Sequence, residues 1–191
     1  MGDTIMNRVM RNTPVLLICL TFVLGMLSIS IAKAESAAVL EVEINDTLKR
    51  FRAEIGGGAA FLKAGKGVLV FPSVIKAGIG IGGEYGEGGL RVGGKTVDYY
   101  STAAASIGFQ LGAQAKSVVI IFMNNKALSQ FRNSDGWKAG VDGSVALIEL
   151  GAGGAVDTDN IKDPVVGFIF GNKGLMYNLT LEGSKFTRIK K

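Results

Sequence analysis

Lys49, Arg50, Arg52, Lys63 and Lys66 form the densest cationic stretch of the sequence, and they flank apolar positions. Ammonium and guanidinium groups beside an apolar stripe are suited to anionic lipid headgroups, with the charges in the interface and the stripe against acyl chains. The same pattern also fits an ordinary core-packed helix with a solvated polar face, because Glu41, Glu43 and Asp46 make its first half acidic.

Catalytic chemistry has little to draw on. The chain contains no His and one Cys, Cys19, so the commonest general base and metal ligand is missing and the thiol inventory is minimal. There is no G-x-S-x-G elbow. Glu84 and Glu87 are a formal carboxylate pair, but turn acids are usually solvated and nothing in the sequence fixes their separation. Asp157, Asp159 and Asp163 share one loop, yet Ile161 and Lys162 stand where an EF-hand needs Asp or Asn and then Gly. Gly78, Gly80 and Gly83 satisfy G-x-G-x-x-G without the helix a dinucleotide site requires, since Glu84-Tyr85-Gly86-Glu87-Gly88-Gly89 follows. These glycines read as structural. Trp137 and Tyr85 suit core or turn packing better than an interfacial role. The expectation is a non-enzymatic protein with neither metal nor cofactor.

The first segment has the layout of an export signal. Arg8 and Arg11 precede an apolar run from Val15 to Ala32, and Ala32-Lys33-Ala34 supplies an A-x-A cleavage site. Cleavage after Ala34 is expected, giving a signal peptide at 1–34 and a single domain at 35–191. Met6 stands where a myristoylation signal needs Ser or Thr, and Cys19 lies inside the apolar run, so neither lipidation pattern fits. The full chain carries a net charge of +5. Without Asp3, Arg8, Arg11 and Lys33, 18 basic and 15 acidic side chains remain, a net charge of +3. That balance suits an anionic surface and is too weak for nucleic acid. The mature chain has no cysteine, which excludes disulfides and thiolate metal sites.

The elements that must position these residues follow from periodicity. Leu40, Ile44, Leu48, Phe51 and Ile55 share one helical face, so residues 36–55 are expected to be helical, ended by Gly56-Gly57-Gly58. A short helix at 59–66 follows. Strand rhythm begins at Val68 and continues through 68–71, 78–82, 106–114, 118–123, 145–150, 165–170 and 175–181. A helix at 125–132 is capped by Asn124 or Asn125, and Gly171-Asn172-Lys173-Gly174 reads as a hairpin turn. The fold class is α+β and β-dominated: an antiparallel sandwich or barrel-like sheet of about 7–8 strands, an N-terminal amphipathic helix and one or two short helices.

Several stretches together resemble a known family. They are Phe71-Pro72-Ser73, Gly80 to Gly88, Tyr99-Tyr100-Ser101, Ser106 to Gln114, the Val119–Met123 run, Ser134-Asp135-Gly136-Trp137 with Gly140-Val141-Asp142, and Gly174-Leu175-Met176 with Leu181 to Lys185. In order and spacing they resemble the SYLF lipid-binding domain family, whose eukaryotic members include yeast actin-binding proteins, and the 134–142 stretch is similar to bacterial members. The resemblance spans roughly residues 40–190. It implies membrane-lipid binding through an N-terminal amphipathic helix and nearby basic residues, which places Lys49, Arg50 and Arg52 at the contact.

The expected function is therefore binding of an anionic lipid or membrane surface in the bacterial envelope, at a periplasmic or outer-membrane-associated location. The alternative is a structural or protein-interaction module of that envelope without a lipid ligand, using the glycine-rich strands or the 151–163 loop.

Overall fold

The chain divides into two units, Met1–Ala34 and Glu35–Lys191. The structure, a computed structural model, describes residues 36–148, 162–173 and 181–191, all within the second unit. The strand at 175–181, apart from Leu181, and nearly all of the 151–163 loop lie outside the described residues; of the expected 171–174 turn only Gly174 does, because Gly171–Lys173 continue the strand Val165–Lys173, held there by pairing of Lys173 with Ala115.

Helix α1 spans Ala37–Glu54, with the Ser36 hydroxyl accepting from the Val39 amide at its start. Helix α2, Gly58–Ala64, begins after Gly57, whose φ of 80° is open to glycine at little cost. Two very long strands follow, β1 over Gly67–Val92 and β2 over Lys95–Phe122. Then come α3 (Asn125–Asn133), β3 (Trp137–Lys138), β4 (Ala146–Ile148), β5 (Val165–Lys173) and β6 (Lys185–Ile189). The result is an α+β, β-dominated fold with a curled sheet and three helices among the described residues.

The sequence segments at 68–71 and 78–82 are parts of one strand, and those at 106–114 and 118–123 parts of another. β1 and β2 form one antiparallel hairpin that turns at Gly93-Gly94, where both φ angles are positive (58° and 81°). Such a two-residue loop matches the twist of the flanking strands. β2 is the spine of the sheet. One edge pairs with β1, while the other pairs with β6 at Tyr99–Ala103 and with β5 at Ala115–Phe122. β4 adds to β5 in parallel, so the sheet is mixed rather than purely antiparallel. β6 was not legible as a strand: Lys185-Phe186-Thr187-Arg188-Ile189 carries one buried side chain, Phe186, among polar neighbours.

A strand pair this long cannot stay flat, and glycines let it double over. The register shifts between Ile79 and Ile81, and a Cβ on Gly78 would overlap Gly82. Beyond this corner, a Cβ on Gly86 would stand 2.7 Å from the Ser73 carbonyl oxygen, and one on Gly88 would overlap that of Val70. The second half of β1 therefore rests on the backbone of the first, a close approach that only glycine permits. Of the Gly78-x-Gly80-x-x-Gly83 stretch, Gly78 takes part in this corner, whereas a Cβ at Gly83 would meet nothing within 4 Å.

Each face of the sheet has its own core. Leu40, Ile44, Leu48 and Phe51 of α1 and Phe61 of α2 pack on Val68, Val70, Val119, Ile121, Val166 and Phe168. On the opposite face, Phe131 of α3, Trp137 and Phe186 pack with Leu69, Phe71, Val118, Ile120 and Phe122. The unbroken apolar run of β2 follows directly, since alternate residues serve different cores. Among the described residues, no helix is long and apolar enough to cross a membrane.

Candidate functional site

The helix period sorts the cations of α1. Lys49 and Arg52, three positions apart, share the side that also carries Asn45 and Leu48, whereas Arg50 turns away by about 100° from Lys49. Lys63 and Lys66 enter from α2 and the chain just after it, and Arg91 enters from the end of β1. Lys49, Arg52, Lys63, Lys66 and Arg91 thus line one groove of about 650 Å³, together with Leu48, Leu62, Val68 and Gly93-Gly94.

Of the five residues singled out in sequence, four come together and one does not. Arg50 lies outside the groove, 3.1 Å from Glu54 and 5.3 Å from the centroid of the Phe170 ring, so its charge is engaged in an ion pair and a cation–π contact. Lys49 makes an exposed ion pair with Asp46 at 2.9 Å, a contact of small worth that an incoming anion can replace. Arg52 donates to the Leu48 carbonyl oxygen at 3.3 Å. Among the described residues, no carboxylate pairs with Arg52, Lys63 or Lys66.

Arg91 was not singled out in sequence, and it anchors the site. One terminal nitrogen donates to the carboxylate of Glu41 at 2.8 Å and to the amide oxygen of Asn45 at 2.9 Å, and the other donates to the Gly94 carbonyl at 3.1 Å. Tyr99 donates to the second Glu41 oxygen at 3.0 Å. Burial, then the hydrogen bond and charge of Glu41, raise the Tyr99 phenol above its usual pKa. Glu41 thereby ties α1 to both strands of the hairpin end, which fixes the helix that presents Lys49 and Arg52. Nothing local in sequence marks Arg91, which reaches α1 only through the packing of that helix on β1.

A second charged cluster lies on another face. Asp98 sits 3.1 Å from Arg132 and 3.6 Å from Arg188, and Arg188 also donates to the Tyr100 hydroxyl and the Arg132 carbonyl. Burial, the largest influence on Tyr100, holds its phenol above the ordinary pKa. These bonds join α3, β2 and β6 and read as structural.

Glu84 and Glu87 do not form a catalytic pair. Glu84 pairs with Lys116 at 2.7 Å, while Glu87 accepts from Tyr85 and pairs with Lys191. Among the described residues no group of three or more His, Cys, Asp or Glu could hold a metal ion. Asp157 and Asp159 lie outside the described residues. Fold and site together define a sheet-based module bearing a basic groove.

The comparison with known families agrees with that class. Residues 103–191 match the family model Ysc84, described as a Las17-binding protein actin regulator, which is the SYLF-type similarity expected from sequence. The matched span takes in most of β2 and everything after it, and the groove residues precede it. No curated protein matches the chain.

Proposed function

We propose that this chain is a non-enzymatic structural and interaction module whose working face is the basic groove, and that it docks an acidic surface of a protein partner there. The observation that carries the proposal is the convergence of Lys49, Arg52, Lys63, Lys66 and Arg91 on one concavity. The family match supports a protein partner, because the description of that family names protein binding. The glycine-rich strands are poorer candidates for the docking face, because Gly86, Gly88 and Gly89 are buried. Cleavage after Ala34 and an envelope location complete this reading, supported by Arg8, Arg11, the Val15–Ala32 run and Ala32-Lys33-Ala34.

A second reading has its own support: the groove's lining combines cations with the apolar Leu48, Leu62 and Val68, which suits anionic lipid headgroups. One experiment separates the two. The protein is incubated with lipid-free extract in one arm, and with neutral or anionic vesicles in the other, at low and physiological salt. Capture of a protein that depends on Lys49, Arg52, Lys63 and Lys66 supports the protein reading. Sedimentation with anionic vesicles alone, weakening as salt shortens the Debye length to about 8–10 Å, supports the lipid reading. Groove-independent results in both arms refute the proposal.

A further inference from the structure

Trp137, the one tryptophan of the chain, carries a donor that the fold does not use. The residue is 4% exposed, and its ring packs against Phe131 and Phe186, with centroids 5.8 Å and 5.9 Å away. This packing fixes the ring, yet no described residue accepts from its indole N–H. The nitrogen is not sealed inside the core either, so it opens on the cavity that Trp137 lines. A buried tryptophan ordinarily finds an acceptor for this donor. Gly143 keeps the same edge of the ring uncovered: a Cβ there would stand 2.7 Å from Cζ2 and 3.5 Å from Nε1. The turn between them is held in place, since the Lys138 amide donates to Asp142 Oδ2 at 2.7 Å and the Asp142 amide to the Lys138 carbonyl at 2.9 Å.

The cavity measures about 340 Å³, within the range of small-molecule sites. Beside Trp137 and Gly143 it is lined by Lys126 and Gln130 of α3 and by Asp142 and Ser144. We infer that it is a binding site for a small polyhydroxylated ligand, a sugar unit held through its hydroxyl groups. The lining mixes donors with acceptors: an indole N–H, an ammonium, an amide, a hydroxyl and a carboxylate. A free anion would be opposed by the Asp142 carboxylate, and a cation by the Lys126 ammonium. A hydroxyl both donates and accepts, so neighbouring hydroxyls on one sugar ring satisfy lining groups of opposite kinds. One accepts from the Trp137 N–H while another donates to Asp142. The cavity shares no lining residue with the basic groove, so this ligand is independent of the partner proposed there.

Because Trp137 is the sole tryptophan, its indole N–H resonance in NMR reports on this one site. The protein is titrated with D-glucose, D-galactose, D-mannose and N-acetyl-D-glucosamine, and with sodium acetate and glycine as anionic and zwitterionic comparisons. At least one sugar is expected to shift the resonance saturably, with both comparisons at least tenfold weaker. Gln130 and Ser144 are exposed, so Gln130→Ala combined with Ser144→Ala leaves the fold intact. That double variant is expected to keep the wild-type Tm and to weaken the sugar response at least tenfold. Changing Lys49, Arg52, Lys63 and Lys66 to Ala is expected to leave the response as in wild type. The inference is overturned if none of the sugars gives a saturable shift or if acetate or glycine matches them. An undiminished response in the double variant, or its loss in the groove variant, also overturns it.

Discussion

The Lys116 ammonium lies 2.7 Å from the Glu84 carboxylate, although Lys116 is paired across the hairpin with Val74 and Glu84 with Ala104. Their contact exists because the hairpin doubles over at its glycine corner and brings distant registers face to face. The side chains are 2% and 9% exposed, so this is a buried pair. Removing one partner leaves an uncompensated buried charge, which costs about 3–5 kcal/mol. Glu84→Gln is expected to lose that much in urea unfolding, while Glu84→Leu combined with Lys116→Met recovers most of it. A Glu84→Gln midpoint equal to wild type would place the pair in solvent.

The same corner sets a steric rule. A Cβ at Gly88 overlaps the Val70 carbonyl oxygen, a backbone atom that cannot swing aside, whereas one at Gly83 meets nothing within 4 Å. Gly88→Ala is expected to destabilise by about 3 kcal/mol, at the upper end of overpacking costs, and Gly83→Ala to be nearly neutral. Denaturant midpoints of the two variants side by side would expose an error, since equal values contradict the folded-over hairpin.

Helix capping offers a graded comparison. The Asn124 side chain accepts from the Ala127 amide at 2.9 Å, while the Ser36 hydroxyl accepts from the Val39 amide at only 3.4 Å. Asn124→Ala is expected to cost about 1 kcal/mol, within the usual range for a lost N-cap. Ser36→Ala has a longer, weaker bond to lose and is expected to cost less than half as much. Thermal melts of both variants decide the ranking.

How far these features could be read in advance differed by element. α1, α3 and the Asn124 cap follow from local chemistry, namely apolar spacing and a side-chain acceptor. The α+β, β-dominated class followed from strand rhythm. The merging of short segments into two long strands did not, because a strand that bends at Gly78–Gly82 looks in sequence like two strands and a turn. β6 was missed because only Phe186 faces the core. Within the groove, Lys49, Arg52, Lys63 and Lys66 were visible as a cationic stretch, but proximity in sequence also swept in Arg50, which the helix period turns toward Phe170. Arg91 was invisible for the opposite reason: it reaches the groove only through tertiary folding.

Tyr85 provides a pH signature. Its hydroxyl donates to Glu87 at 2.8 Å, and burial, then that bond and the Glu87 charge, push its pKa from 10.0 up to about 12. A folded pKa above the unfolded value means the neutral phenol is favoured by folding. The associated stability is complete below pH 10 and declines as pH rises from about 10 to about 12. Ultraviolet difference titration of wild type against Tyr85→Phe is expected to show one phenol ionising near pH 12. A difference curve centred near pH 10 would mean the Glu87 contact is absent in solution.

The central claim is that the groove, rather than net charge, is the working face. The most direct measurement is capture of a protein partner from lipid-free extract by three forms of the protein at physiological salt. These are the wild type, a variant with Lys49, Arg52, Lys63 and Lys66 changed to Ala, and a charge-matched variant with Arg50, Lys95, Lys138 and Lys185 changed to Ala. The expected result is capture of the same partner by the wild type and the charge-matched variant, with at least a tenfold loss in the groove variant. Equal capture by the groove variant, or equal loss in both variants, would contradict the account.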